Sequence, residues 1–161
     1  MAEEIAALDQ SRMIVLSLKP RFAEAILAGT KTVELRRTTP KIEVPTRALL
    51  YASTPVRALL GTCIITDVRS ANLTALWHEY GSRSELSHKE FKRYFEGLGA
   101  GTALTLAHQQ PLDRIVPLQD LRGESKRLPT STKLHLRRRQ NRRPTSKDGR
   151  ITLPPIQVVP T

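Results

Sequence analysis

A short stretch of the chain, GTKTVELRR at residues 29–37, carries four charged side chains directly after a glycine. If this stretch is a strand, alternation places Glu34 and Arg36 on one face and Lys31 on the other. An isolated buried charge is very costly, so Glu34 and Arg36 must either face water or pair with each other. Lys31, at the mouth of the strand, suits contact with a phosphate or a polar base edge.

Two interpretations of these charges remain open. In the first, Lys31, Glu34 and Arg36 line a ligand cleft, and Gly29 lets the ligand approach the backbone. In the second, Lys31 caps the preceding helix, and Glu34 and Arg36 form a surface ion pair worth at most about 1 kcal/mol.

Further candidates for the same cleft lie just before and after it in the sequence. Lys19 and Arg21 flank Pro20 at a predicted helix start, where cations oppose the helix dipole. They face an anionic ligand or are ordinary solvated charges. Ser53 and Thr54 follow a predicted strand, and their hydroxyls either bind a phosphate or base or simply form a turn.

The elements that position these residues alternate between strands and helices. The hydrophobic pattern predicts strands and helices in the order strand, helix, three strands, two helices and two strands, at residues 13–18, 19–29, 31–37, 47–53, 59–70, 72–80, 87–97, 101–110 and 111–117. Gly61 marks a bulge or a close approach, and Ser87 with Glu90 forms a capping box. Aromatic residues of the two later helices are expected in the core: Trp77, Tyr80, Phe91, Tyr94 and Phe95. This order predicts an α+β fold with a small barrel or strongly curled sheet.

Charge is concentrated near the end of the chain. The 161 residues carry a net charge of +11. Residues 122–150 contain 11 Lys/Arg and 2 Asp/Glu, and they therefore hold most of that charge. Residues 122–150 contain few apolar side chains, and burying them cannot offset the entropy lost on ordering. We therefore expect residues 123–161 to form a disordered basic tail. The closing segment ITLPPIQVVPT predicts an extended or weakly docking peptide. Arginines gain affinity for nucleic acid by releasing counterions, and this tail holds Arg137, Arg138, Arg139, Arg142 and Arg143. A solubilising role or contact with an acidic protein is the alternative.

Several classes of protein are not expected. The single cysteine, Cys63, forms no intrachain disulfide and is predicted to be a small buried hydrophobe in a reducing compartment. The acidic N-terminus does not resemble a secretory signal, and no apolar run approaches the roughly 20 residues of a membrane span. The histidines show no metal-site spacing, so we expect no metal, no cofactor and no membrane partner. The expected location is the cytoplasm, and the sequence leaves the oligomeric state open.

The segments LSLKPRFAEAILAGTKTVELRR, LLYASTPVRALLGTCIITDV, LWHEYG, LSHKEFKRYFEG and PLDRIVPLQDLR resemble the ASCH domain over residues 13–122. The most specific element is Gly29-x-Lys31-x-x-Glu34-x-Arg36, which matches the family's G-x-K-x-x-E-x-R pattern. The resemblance implies a PUA-like β-barrel with a nucleic-acid cleft beside helix 20–29. It divides the chain into an N-terminal extension at 1–12, the ASCH domain at 13–122 and the tail at 123–161.

The resemblance also implies two kinds of function. Many bacterial and archaeal members are described as predicted transcriptional regulators, whereas some small members are an amidohydrolase acting on acetylated cytidine or a ribonuclease. In the amidohydrolase pattern the lysine at the position of Lys31 is catalytic, and its partner glutamate falls near Ser84 and Glu85. The amidohydrolase pattern has a threonine at the position that Glu34 occupies here, so this chain departs from the pattern at that residue.

The resulting hypothesis is an RNA-binding ASCH protein that regulates transcription or translation and takes a nucleotide or single-stranded RNA in the barrel cleft. A hydrolase on a modified nucleoside or a ribonuclease, with Lys31 central, is the first alternative. A protein-interaction module is the second. Whether the chain is an enzyme stays open at this point.

Overall fold

The computed structural model describes residues 13–117 and 156–159 of the chain. These residues form strands, helices and one 3₁₀ turn, in the order β1 (Met13–Leu18), α1 (Pro20–Leu27), β2 (Val33–Arg36), β3 (Thr46–Ala52), β4 (Ala58–Asn72), α2 (Leu73–Tyr80), the turn Gly81–Arg83, α3 (His88–Tyr94), β5 (Ala100–Pro117) and β6 (Ile156–Val159). The strands form one mixed sheet in the order β2-β5-β4-β3-β1-β6, with β1 parallel to both β3 and β6. The predicted α+β class is confirmed.

Two apolar clusters hold the helices to the sheet. The first lies under α1, where Ala23 and Ile26 pack on side chains of β1, β3, β4 and β5. The second lies under α2 and α3, where Leu76, Phe91 and Phe95 cover Val33 and Leu35 of β2. Strand β2 is therefore held from one side by the later helices, which leaves Glu34 and Arg36 to point the other way.

Most of the aromatic side chains lie where the sequence predicts. Tyr80, Phe91 and Phe95 are buried, and Trp77 and Tyr94 pack against the same cluster while half-buried. Cys63 is buried in the first cluster, as expected of a small hydrophobe.

Strand β5 differs from the prediction of two strands at 101–110 and 111–117. It runs without interruption from Ala100 to Pro117. Pro111 lies opposite Gly61, where the register with β4 shifts, so its missing N–H falls at an irregularity rather than within a regular ladder. A Cβ on Gly61 would lie 2.6 Å from the Gln110 carbonyl oxygen, which confirms the close approach expected of this glycine.

Strand β6 departs from the disorder expected over residues 123–161. Its four residues pair with the free edge of β1, in a register that joins Met13 to Ile156 and Leu16 to Val159. This pairing confirms the predicted extended, docking segment. Ile156, Val158 and Val159 are β-branched residues, which favour a strand. The arginines at 137–143 lie outside the described residues.

Within residues 13–117 and 156–159, we find no helix that combines the length and apolar character needed to cross a membrane. The helices of this region contain eight residues or fewer. A bilayer crossing requires about 20 apolar residues in a helix.

The connection from β1 to β2 sets the geometry of the site. Pro20 begins α1, and Gly29 follows its end with a φ of 80°, a conformation that favours glycine. The N–H groups of Thr30 and Lys31 then both donate to the Ala25 carbonyl, which turns the chain sharply toward β2. The predicted helix start at Pro20 is confirmed.

Candidate nucleic-acid site

A cavity of about 650 Å³ opens between the end of β1, the first turn of α1, strand β2 and helix α3. It is lined by Ser17, Leu18, Lys19, Arg21, Phe22, Lys31, Glu34, Leu35, Arg36, Arg37, Ser53, Leu86, Glu90, Arg93 and Tyr94. In the strand order, β2 lies at one edge of the sheet and β1 lies beside the other edge. The guanidinium of Arg36 spans this opening and donates to the Ser17 carbonyl at 3.2 Å.

Three charged side chains form a buried ion-pair cluster in this cavity: Lys31, Glu34 and Arg36. Lys31 Nζ lies 3.1 Å from Glu34 Oε2, and Arg36 Nη2 lies 3.2 Å from Glu34 Oε1. The exposed fractions of the three side chains are 2%, 10% and 1%. One carboxylate therefore holds two cations that have left water, and the surface-pair interpretation is wrong for this site.

The Lys31 ammonium is fully enclosed rather than open to the cavity mouth. It donates to the Val33 carbonyl at 2.9 Å and to the Ser84 carbonyl at 2.5 Å, and it lies 4.8 Å from the centre of the Phe22 ring. With the bond to Glu34, these contacts occupy its three N–H donors. Burial lowers the pKa of Lys31, and the neighbouring Glu34 charge opposes that shift.

The prediction that Lys31 and Glu34 point to opposite faces is wrong. Alternation holds only within a strand, and β2 begins at Val33, two residues after Lys31. The intervening turn brings Lys31 to the same side as Glu34. The region near Ser84 and Glu85, expected to supply a partner, contributes the Ser84 carbonyl to Lys31.

A second set of charges surrounds the cavity opening and is here called the rim: Lys19, Arg21, Arg37, Glu90 and Arg93. Its cations are exposed to solvent, whereas Glu90 is half-buried. Arg21 of α1 forms an ion pair with Glu90 of α3, which links the two walls of the cavity. The same guanidinium lies 4.2 Å from the centre of the Phe22 ring.

Glu90 is held in place from its own helix as well. Its Oε2 accepts hydrogen bonds from the backbone N–H and the hydroxyl of Ser87, both at 2.9 Å, which confirms the predicted capping box. These bonds, followed by the Arg21 charge, lower the pKa of Glu90 to about 2. The carboxylate thus stays ionised and keeps its hold on Arg21.

The remaining predicted site residues divide into three groups. Ser53 lines the cavity, whereas the neighbouring Thr54 is not among its lining residues. The tail arginines lie outside the described residues. Across 13–117 and 156–159, we find no group of three or more His, Cys, Asp or Glu side chains that could hold a metal ion.

Sequence reasoning missed several lining residues. Phe22 is not among the predicted site residues, and Tyr94 is expected only in the core, yet both residues line the cavity. Burial raises the pKa of the Tyr94 phenol, so this hydroxyl stays protonated and can donate. The capping box was a usable signal for Glu90, because it fixes the carboxylate at the start of α3.

Comparisons with known proteins agree with this fold. The family model for the ASCH domain matches residues 16–107. A curated relative from Zymomonas mobilis, named an ASCH domain-containing ribonuclease, is 38% identical over 98 residues, which are 61% of this chain and 66% of that protein. The crystal structure of ASCH from Zymomonas mobilis superposes with a TM-score of 0.69 at 34% identity, covering 75% of this chain and 83% of that one.

A second type of relative matches over a similar length. Large ribosomal subunit protein uL22 of Ureaplasma parvum is 28% identical over 97 residues, which are 60% of this chain and 31% of that protein. This chain therefore spans a minor part of that relative and just under two thirds of the Zymomonas protein. The family match covers more than half of the chain, and the chain belongs to the ASCH domain family, as its sequence motif indicates.

Proposed function

We propose that this chain binds RNA and that the cavity takes a nucleotide of a single-stranded segment. The observation that carries this proposal is the charge of the cavity. Its lining contains six Lys/Arg side chains and two glutamates, and both glutamates are already ion-paired within the protein. The excess positive charge favours an anionic ligand, and a sugar-phosphate backbone satisfies it at the exposed rim.

The size and lining of the cavity support a nucleotide in particular. Its volume of about 650 Å³ lies within the usual range of small-molecule sites. Phe22 and Tyr94 supply aromatic surface, on which unstacked bases of single-stranded RNA commonly stack. The ribonuclease named among the relatives supports RNA as the polymer.

The arginines at 137–143 add nonspecific affinity for the phosphate backbone in this proposal. We propose that this combination of a specific cavity and a basic segment serves a regulator of transcription or translation. Replacing these five arginines with glutamine should therefore lower affinity for all RNA sequences alike and reduce the salt dependence of binding.

The test is RNA binding by a variant that loses two rim cations, Lys19→Ala with Arg93→Ala. Binding of fluorescent single-stranded RNA, measured by anisotropy over a range of salt concentrations, should weaken by about tenfold or more. The slope of log K against log salt should fall by roughly 1.4, since each lost phosphate contact on a single strand accounts for about 0.7.

The matched control is Lys89→Ala with Lys92→Ala. These two exposed lysines lie on α3, the helix that carries Arg93, but outside the cavity lining. The control loses the same net charge, so it reports on long-range attraction alone. Equal losses in the two double variants would remove the cavity as the binding site.

The second candidate function is cleavage of RNA, which the name of the Zymomonas relative favours. Lys31 is the proposed catalytic residue, and it would act by exchanging one of its present acceptors for the substrate. Arginine cannot shed a proton in a protein, so Lys31→Arg should abolish turnover if lysine must do so. Product formation from single-stranded RNA, followed by electrophoresis alongside acetylated cytidine as the amidohydrolase substrate, tests both enzymatic forms. Absence of product from wild-type protein that binds RNA would leave binding alone.

A further inference from the structure

We propose that the buried end of the cavity recognises its ligand through an acceptor, the Glu34 carboxylate, and therefore takes a nucleobase edge that presents an N–H donor. The phosphate then stays at the rim with Lys19 and Arg93. This proposal rests on the proposed function, since it assigns the base-reading part of the same site. It reverses the expectation that the cations of the motif make the contact.

The first observation is which side chain of the buried ion-pair cluster is the most exposed. Glu34 keeps 10% of its side chain exposed, against 2% for Lys31 and 1% for Arg36. All three residues line the cavity, so the part of the cluster that a ligand can touch belongs mainly to the Glu34 side chain. The two cations lie behind it.

The second observation is how the donors of the cluster are used. The Lys31 ammonium spends its three N–H bonds on the Val33 carbonyl, the Ser84 carbonyl and Glu34. Arg36 is held by the Ser17 carbonyl and by Glu34. Contact between a ligand and the Lys31 ammonium would break one of these bonds, whereas contact with Glu34 breaks none. The Arg36 side chain is only 1% exposed, which leaves little of it for a ligand to contact.

The third observation is the acceptor capacity that remains on Glu34. A carboxylate has about four lone-pair positions. Lys31 and Arg36 contact different oxygens of this carboxylate, Oε2 and Oε1, at one position each. Each oxygen can therefore accept a further bond, and the two flanking cations fix the orientation of the carboxylate. A carboxylate acceptor fixed in this way selects for the exocyclic amino group of a base, since hydrogen bonds to charged groups are the stronger ones.

The test uses pairs of short homopolymer RNAs that differ by one amino group on each base. Oligo(A) is compared with oligo(purine riboside), and oligo(C) with oligo(pyrimidin-2-one riboside). The phosphates, and hence the rim contacts, are the same within each pair. Loss of a hydrogen bond to a charged group should weaken binding by about tenfold.

A loss of about fivefold or more in either pair supports the proposal, and smaller losses in both pairs overturn it. If both members of each pair bind wild-type protein equally well, and both weaken together in Arg93→Ala, the cavity binds RNA without reading an amino group. In that case this inference fails while the proposed function stands. If no RNA binds at all, the proposed function fails and the inference with it.

A variant gives a second measurement on the carboxylate itself. Glu34→Gln keeps the size of the side chain but removes the charge, so the preference within each RNA pair should fall toward one. The wild-type series stands without this variant, whose buried cations lose their counter-charge. A folded Glu34→Gln protein that keeps the full preference would overturn the assignment to Glu34.

Discussion

Two ion pairs of this molecule share the same sequence spacing and meet opposite surroundings. Glu34 and Arg36 on β2 lie 3.2 Å apart, and Asp67 and Arg69 on β4 lie 3.3 Å apart. The first pair keeps 10% and 1% of its side chains exposed, whereas the second keeps 49% and 71%. An acid two residues before an arginine on a strand thus forms a close pair in both places, but only packing determines whether that pair is buried.

The difference follows from what covers each strand. Helix α1 and the turn after it lie beside β2, and they bring Lys31 and Phe22 over the pair. The buried cations then find further acceptors on the main chain, at Ser17, Val33 and Ser84. Asp67 and Arg69 remain in water, where a pair gains little and is screened by salt. An acid two residues before an arginine therefore forms a buried ion pair in one strand and a solvated surface pair in the other.

The largest expected effect comes from removing the acid of each pair. Glu34→Ala leaves two buried cations without their counter-charge and should lower the free energy of unfolding by about 3–5 kcal/mol. Asp67→Ala, the matched exposed control, should lower it by less than about 1 kcal/mol. Urea denaturation of both variants measures the two values. Similar losses in the two variants would contradict the contrast in burial.

The two acids also differ in their effect on the buried thiol of Cys63, which the charge of Glu34 influences and that of Asp67 does not. Burial, and next the charge of Glu34, raises the pKa of this thiol from 9.0 to about 12. The unfolded chain loses the thiol proton above pH 9 while the folded chain keeps it, so the free energy of unfolding falls as the pH rises from 9 toward 12. Between pH 8 and pH 10, wild-type protein should lose about 1.4 kcal/mol more than Cys63→Ala does.

Urea denaturation at the two pH values measures this quantity. Asp67→Asn should behave as wild type does in this comparison, because the exposed carboxylate does not contribute to the Cys63 shift. Equal pH dependence in wild type and Cys63→Ala would show that the thiol titrates freely, and would contradict its burial.

At the rim, the loss of stability at acidic pH should depend on Glu90. Its folded pKa of about 2 lies below the ordinary 4.5, mainly because of the Ser87 hydrogen bonds and then the Arg21 pair. The stabilisation is present above pH 4.5 and is lost as the pH falls toward 2. The melting temperature of wild type should therefore drop more steeply over this range than that of Glu90→Gln. Glu96→Gln, which removes a carboxylate outside the capping box, should retain the wild-type slope; a shallow slope there too would assign the effect to general charge.

The smallest expected effect is the response of the exposed pair to salt. At 1 M salt the Debye length is about 3 Å, so the small loss in Asp67→Ala should disappear. The loss in Glu34→Ala should persist, since a buried pair is screened much less. Denaturation at low and high sodium chloride measures both. A Glu34→Ala loss that vanished in salt would place that pair in contact with solvent.

Much of this fold follows from local patterns. The alternation of VELR predicts a strand with Val33 and Leu35 on one face, and those two side chains do pack under the later helices. The capping box at Ser87 and Glu90 is confirmed, as is the helix start at Pro20. The continuation of β5 through Pro111 was not predictable in the same way. It depends on a register shift opposite Gly61 in another strand.

The candidate site was only half predictable. The sequence motif identifies Lys31, Glu34 and Arg36 as a group, and all three line one cavity. The face of Lys31 was predicted wrongly, because a rule for strands was applied to a turn. The contacts across the cavity, from Arg21 to Glu90 and from Lys31 to Ser84, join residues 69 and 53 positions apart, and local spacing carries no information about them.

The sequence by itself determined the short-range features of this protein. Pro20 and Gly29 bound a helix, Ser87 begins another, and a period of two directs Glu34 and Arg36 to one side of β2, because steric limits and local hydrogen bonds act within a few residues. The tertiary structure alone decided which charges leave water. Glu34 became a buried centre and Asp67 a surface group because desolvation depends on what packs over a side chain, and that is set by α1, Ser84 and the sheet edge rather than by neighbours in the chain.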